Sequence, residues 1–189
     1  MNIFFELNNV SQKYKASSAG VAVNDYRFGN MSKEDLLTYS KIGLNQDIKD
    51  IFSEDEQSMI RDLSLENDIE SIKQAYFLVT DKALGIDRQF RNNILQMFGF
   101  NPININSVRN QFTPNESIDA IYCMQDKHVN SIKNVYNDQH IELPDILTTL
   151  TETDIKDPYG YGIEKHIETT KNIWHGVQER VVEILDMYE

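Results

Sequence analysis

The side chains able to do chemistry are few and dispersed. Cys123 is the only cysteine in 189 residues, so neither an internal disulfide nor a multi-cysteine zinc site can form. A thiol becomes a nucleophile when a helix start or a neighbouring cation lowers its pKa. Cys123 instead stands in Ala120-Ile121-Tyr122-Cys123-Met124, a run that reads as a strand, and is expected there as a small buried hydrophobe. Of the four histidines, His128 opens a predicted helix, and His140, His166 and His175 are scattered. His166 and His175 do not share one helical face and suit a metal pair poorly. No metal and no cofactor is therefore expected. Arg88, Arg91 and Arg109 could touch a phosphate, but solvated helix and loop positions account for them better. Asp157-Pro158 is either an ordinary loop turn or a carboxylate held for use, and Tyr159 and Tyr161 beside it either wall a cleft or pack on the last helix.

The elements that must position these residues follow from periodicity. Residues 1–13 read as a short helix with Ile3, Phe4, Leu7 and Val10 on one face, and 14–23 as a strand ending in small residues. Residues 31–98 are helical in pattern. Ser32 is an N-cap before Glu34 and Asp35, and Gly43 is a stop. Segments 45–63 and 67–84 carry amphipathic spacing, with Ser53-Glu54-Asp55-Glu56 as a solvated helix start, and a further helix over 87–98 ends at Gly99. Ala75 to Thr80 fits a strand as well as a helix. After a polar connector around Pro102 and Asn104, a strand is expected at 120–124 and a helix over 127–136. A short strand follows at Ile141-Glu142-Leu143, then a loop-rich stretch over 144–162 and a long helix over 163–187. Strands alternating with helices predict a parallel α/β sheet.

The net charge of −12 opposes nonspecific nucleic-acid binding and anionic membrane surfaces, both of which draw on clustered Lys and Arg. A phosphate site remains compatible with an acidic chain, because backbone amides and one or two cations suffice. No apolar stretch approaches the roughly 20 residues that span a bilayer. Met1 to Glu6 has no basic flank and only a brief apolar run, so a signal peptide is not expected and the cytoplasm is the expected compartment.

Three pieces, in order, resemble the low-molecular-weight protein tyrosine phosphatase family, which includes arsenate reductases. Ser18-Ala19-Gly20 closes a strand as the family's second strand closes. Ile118 to Met124, followed by Lys127-His128 and a helix to Tyr136, is similar to the family's third strand and the helix after it. Asp154-Ile155-Lys156-Asp157-Pro158-Tyr159-Gly160 before a long terminal helix resembles the family's Asp-Pro loop and is the most specific of the three. Asp87 to Phe100, with Val108-Arg109-Asn110-Gln111-Phe112-Thr113, resembles the stretch before the third strand. The resemblance covers about 14–23 and 86–189, leaving 24–85 as an inserted helical segment within one domain spanning 1–189.

The resemblance implies a three-layer α/β fold, a small parallel sheet flanked by helices. It also implies an enzyme that hydrolyses phosphotyrosine or small phosphomonoesters through phosphocysteine. By that resemblance Asp157 is the general acid, Tyr159 and Tyr161 bind substrate, and Ser18 supports the phosphate loop. The family's nucleophile lies in a Cys-(five residues)-Arg loop between its first strand and first helix, and no such loop occurs here. Met1 to Phe5 resembles the start of the helix just past that loop, so the first strand and the catalytic loop are both expected to be missing. Chemistry by this chain alone is then not expected, and the alternative is a pseudophosphatase that holds a protein partner through 24–85. The missing strand would leave buried amides unpaired at about 1–3 kcal/mol each, unless a segment such as 75–80 fills the gap. The arsenate-reductase branch needs further cysteines and is disfavoured.

Overall fold

The computed structural model describes residues 1, 5–6, 8–21, 23, 28–66, 68–99 and 110–188, with the side chains of Phe28 and Tyr188 excepted. The expectations for Ile3, Phe4, Leu7, Pro102, Asn104 and Val108-Arg109 lie outside these residues. The described chain is mixed α/β, mostly helical, with a two-stranded parallel sheet. It divides into two compact units. One comprises 1–24, 108–156 and 169–189, and the other comprises 25–107 and 157–168.

The second unit is built on three helices, α1 (Lys33–Lys41), α2 (Glu54–Leu65) and α3 (Ile69–Met97). Ser32 caps α1 by accepting from the Asp35 amide. A short 3-10 turn, Ile42–Leu44, follows α1, and the expected helix over 45–63 is interrupted by another, Lys49–Ile51. The interruption has a local cause. Asn45 turns the chain through its own side chain, which accepts from Asp47 N at 3.1 Å. Ser53 and Glu56 then form a reciprocal capping box that restarts the helix.

Ala75 to Thr80 is helical and supplies no strand. The segments read separately as 67–84 and 87–98 are one helix of 29 residues. Gly85 does not end it, because one glycine costs a helix about 1 kcal/mol without breaking its hydrogen-bond ladder. Ile72, Ala75, Val79 and Ala83 recur on the buried stripe of α3. Val79 and Ala83 meet Ile48, Phe52 and Ile60 in the unit's core, with Tyr159 packed against them. Ser40, fully buried, is satisfied by donating to Leu36 O at 2.6 Å.

The first unit holds β1 (Ala120–Cys123), α4 (Asp126–Asp138) and β2 (Ile146–Thr149). The strands pair in parallel, with Ala120 opposite Ile146 and Cys123 opposite Thr149. Ile121 and Cys123 join Val129, Ile132 and Tyr136 of α4, together with Leu147, in one apolar cluster. Tyr122, between them in the strand, joins Val177, Val181 and Ile184 in another. Those three belong to α5 (Ile163–Tyr188), whose first turns fall in the other unit. Alternate residues of a strand point to opposite faces, so β1 serves both helices. Gly176 lets α5 approach closely, since a Cβ there would lie 2.7 Å from Thr151 Cγ2 and 3.0 Å from Leu150 O. Arg180 tightens the same approach by donating from Nε to Leu150 O at 3.1 Å, with its guanidinium over the Tyr122 ring.

Two expected strands are not formed. Over 14–23 the described residues hold one isolated parallel bridge, Gly20 to Gln111, made by Gly20 N to Asn110 O and Phe112 N to Gly20 O. The small residues Ala16 to Gly20 offer too little side chain to bury a strand face. Ile141 to Leu143 is used instead to close α4. His140 takes a left-handed backbone (φ 56°), and Ile141 N donates to Tyr136 O at 3.1 Å. The second strand therefore begins only after Pro144, inside the stretch read as loop.

Ile60→Ala is expected to lower stability by about 2–5 kcal/mol, because it opens a cavity in the helical unit's core. Leu65→Ala, at a side chain 83% exposed, is expected within about 0.5 kcal/mol of the parent. Urea unfolding of the purified chain measures both.

Candidate functional site

Beyond the carboxyl ends of β1 and β2 the chain has backbone groups to satisfy, and it does so through a crossed set of bonds. Leu150 N donates to Cys123 O at 2.7 Å, and Ile155 N to Met124 O at 2.8 Å. Gln125, at the start of α4, makes no side-chain cap. Asp154 Oδ1 supplies it from the following loop, accepting from Asp126 N at 2.9 Å. A carboxylate at a helix start is also favoured by the helix dipole. Thr151 Oγ1 donates to Thr153 O at 2.6 Å, and Thr169 Oγ1 to Lys156 O at 3.3 Å. The loop is thus pinned as far as Lys156.

His128, in the first turn of α4, has its pKa pulled down by burial and by the charge of Lys127, against the attraction of Asp154. Cys123 is 8% exposed, and burial pushes its thiol pKa up. Both effects are opposite to what an attacking thiolate needs.

The residues that follow belong to the helical unit. Asp157 is exposed, and its Oδ1 accepts from Tyr159 N at 3.0 Å, closing an Asx turn. Tyr161 N donates to Pro158 O at 3.0 Å. Gly160 has φ +81°, and a Cβ there would strike Ile42 Cγ2 at 2.5 Å, so the position demands glycine twice over. The turn sends Tyr159 inward, where its ring lies 6.0 Å from that of Tyr39. Tyr161 remains 44% exposed. With Asp47, Gly162, Glu164, Lys165 and Glu168 it lines an open cleft of about 370 Å³. Lys165 is paired with Glu168 at 2.8 Å, so Asp47 and Glu164 leave the lining net negative. Such a cleft repels a phosphate dianion.

Asp157, Tyr159 and Tyr161 therefore share one loop, with different surroundings. Ser18 is exposed and belongs to the first unit, whereas the other three belong to the second. Two residues given no site role by the sequence are placed by the structure in structural roles. Asp154 was signalled by a helix start whose own residue, Gln125, is a poor cap. His166 lies three residues after Ile163 on the buried side of α5, where its Nε2 is 3.3 Å from Asp87 Oδ1 and its ring meets Phe90 edge-on at 5.3 Å. Among the described residues no group of three or more His, Cys, Asp or Glu side chains is arranged to hold a metal ion. No helix among them is long and apolar enough to cross a membrane. Comparison with family models, with curated proteins and with solved structures finds no match to this chain.

Asp154→Ala is expected to lower stability by about 1 kcal/mol, the usual cost of losing a helix N-cap. Thermal unfolding followed by circular dichroism measures it. Native Cys123 is expected to react with Ellman's reagent at least about 10²-fold more slowly than in 6–8 M urea, since access requires β1 to open.

Proposed function

We propose that this chain is a low-molecular-weight-phosphatase-like module that makes no phosphocysteine by itself. The observation that carries the reading is the state of its only thiol. Cys123 is a strand residue buried against α4, with burial raising its pKa. The 189 residues contain no Cys-(five residues)-Arg. Family resemblance in the Asp154 to Gly160 loop supports the phosphatase-like part, and so does a parallel β1–α4–β2 unit in which β1 serves α4 on one face and α5 on the other. In this reading the unit is one part of a three-layer phosphatase-like fold. In this reading Asp157 is the proton donor for a leaving oxygen, and the substrate class is phosphotyrosine or a small phosphomonoester once a thiolate loop is supplied.

A second reading is a partner-binding pseudophosphatase. It is favoured by the exposed apolar side chains of the helical segment, Met59, Leu65, Ile69 and Phe77, within the stretch 24–85.

The purified chain is expected to release no p-nitrophenol from p-nitrophenyl phosphate above the buffer rate, with Asp157→Ala and Cys123→Ser at the same baseline. Turnover that survives both substitutions would place the chemistry on other residues. A chain extended at its amino end by a strand and a Cys-(five residues)-Arg loop is expected to gain hydrolysis, which Asp157→Asn lowers by about 10²–10⁴-fold. Failure of that gain leaves the pseudophosphatase reading in possession.

A further inference from the structure

We propose that His166 is a pH-sensitive latch, and that a second proton on its imidazole releases the 157–168 segment from α3. The inference does not depend on the phosphatase reading. His166 is 5% exposed, within the first turns of α5. Its Nε2 lies 3.3 Å from Asp87 Oδ1 on α3, and the Phe90 ring meets it edge-on at 5.3 Å. The second carboxylate acting on it is Asp157, from the loop. On its own helix Lys165 is paired with Glu168, and both line the open cleft with Glu164 and with Asp47 from the α1–α2 connection.

A neutral imidazole carrying its proton on Nε2 turns a donor toward Asp87 Oδ1 and brings no charge into the buried position. A cation at the same place keeps the carboxylates but loses its hydration, with an apolar ring on one side. Taking the charge out of water outweighs what Asp87 and Asp157 return, and the imidazole is held below its ordinary range by burial. The sign follows directly. In the released segment His166 is solvated and titrates near its usual value of about 6.5. The seated form titrates lower, so between the two values the released form binds more protons. The latch is fully set above about pH 6.5, and acid opens it. Elsewhere the segment packs Tyr159 against Tyr39 and Gly160 against Ile42, while Gly162 lies beside Asp47. Opening would carry Asp157 away with the loop and uncover the place Tyr159 fills.

Hydrogen exchange on the intact chain, corrected for the intrinsic pH dependence of amide exchange, tests this between pH 7.5 and 5.5. The reporters are the amides of Tyr161, Lys165 and His166, which donate to Pro158 O and Gly162 O. Their protection is expected to fall roughly five- to tenfold, the range open to a single proton one pH unit below its unperturbed pKa. The Gln57 amide, bonded to Ser53 O in the same unit, is expected to be unchanged. His166→Gln keeps a donor for Asp87 but takes no second proton, and its segment is expected to be equally protected at both pH values. Asp87→Asn removes an attraction for the cation, and the acid loss is expected to grow. Protection that stays level or rises on acidification in the parent chain overturns the proposal, as does full pH dependence in His166→Gln. If His166→Gln leaves the segment unprotected throughout, a ring titration of His166 by NMR in the parent chain decides. An apparent pKa at or above about 6.5 rejects the latch.

Discussion

Two strands of four residues each cannot form a stable sheet without cover, because a parallel pair exposes both faces and both outer edges. The first unit depends on how that is met. β1 gives Ile121 and Cys123 to α4 and Tyr122 to α5, so the same short strand anchors two apolar clusters. The close seat of α5 at Gly176 and the Arg180 bond to Leu150 O hold the end of β2 against that helix. This use of β1 also decides the fate of the thiol. A cysteine needed for packing on the α4 face is withdrawn from water, and withdrawal disfavours the thiolate.

The helical unit meets a different constraint. Its core is small, and it draws in a residue from far along the chain, Tyr159, to complete it. Placing Tyr159 there requires a tight turn. Asp157 builds the turn with its own carboxylate, and Gly160 permits it with a positive φ. The residue proposed as proton donor is thus also a residue that shapes its loop, as short polar side chains near turns commonly do. Asp154, three residues earlier, uses its carboxylate in the same structural way at the start of α4. Two acids on one loop each satisfy a backbone amide. The difference between them is that Asp154 closes a helix start in one unit while Asp157 turns the chain within the other.

How far the elements were legible depended on whether their signals were local. Ser32, the acids at 34 and 35, and the apolar stripes of α4 and α5 are local, and those helices stand where periodicity places them, whereas α3 runs unbroken through what periodicity divides into two segments. Strand β1 was legible from Ile121, Tyr122 and Cys123. Strand β2 was not, because Pro144 and a threonine-rich run hid four residues that become a strand only by pairing with Ala120 to Cys123. The reverse error, a strand over 14–23, came from reading small residues as a strand end, when among the described residues of that stretch the β-pairing is an isolated bridge at Gly20.

The amino-acid sequence by itself determined the charge, the lone cysteine, the helical stripes and the Asp-Pro turn, since each follows from composition or from neighbours within one or two turns. Tertiary structure alone decided that Ala75 to Thr80 is helix, that Asp154 caps α4, that Tyr159 fills a core, and that His166 meets Asp87. Each of these joins residues separated along the chain, or turns on which alternative conformation buries more apolar surface. Local periodicity carries no information about partners that only folding brings near.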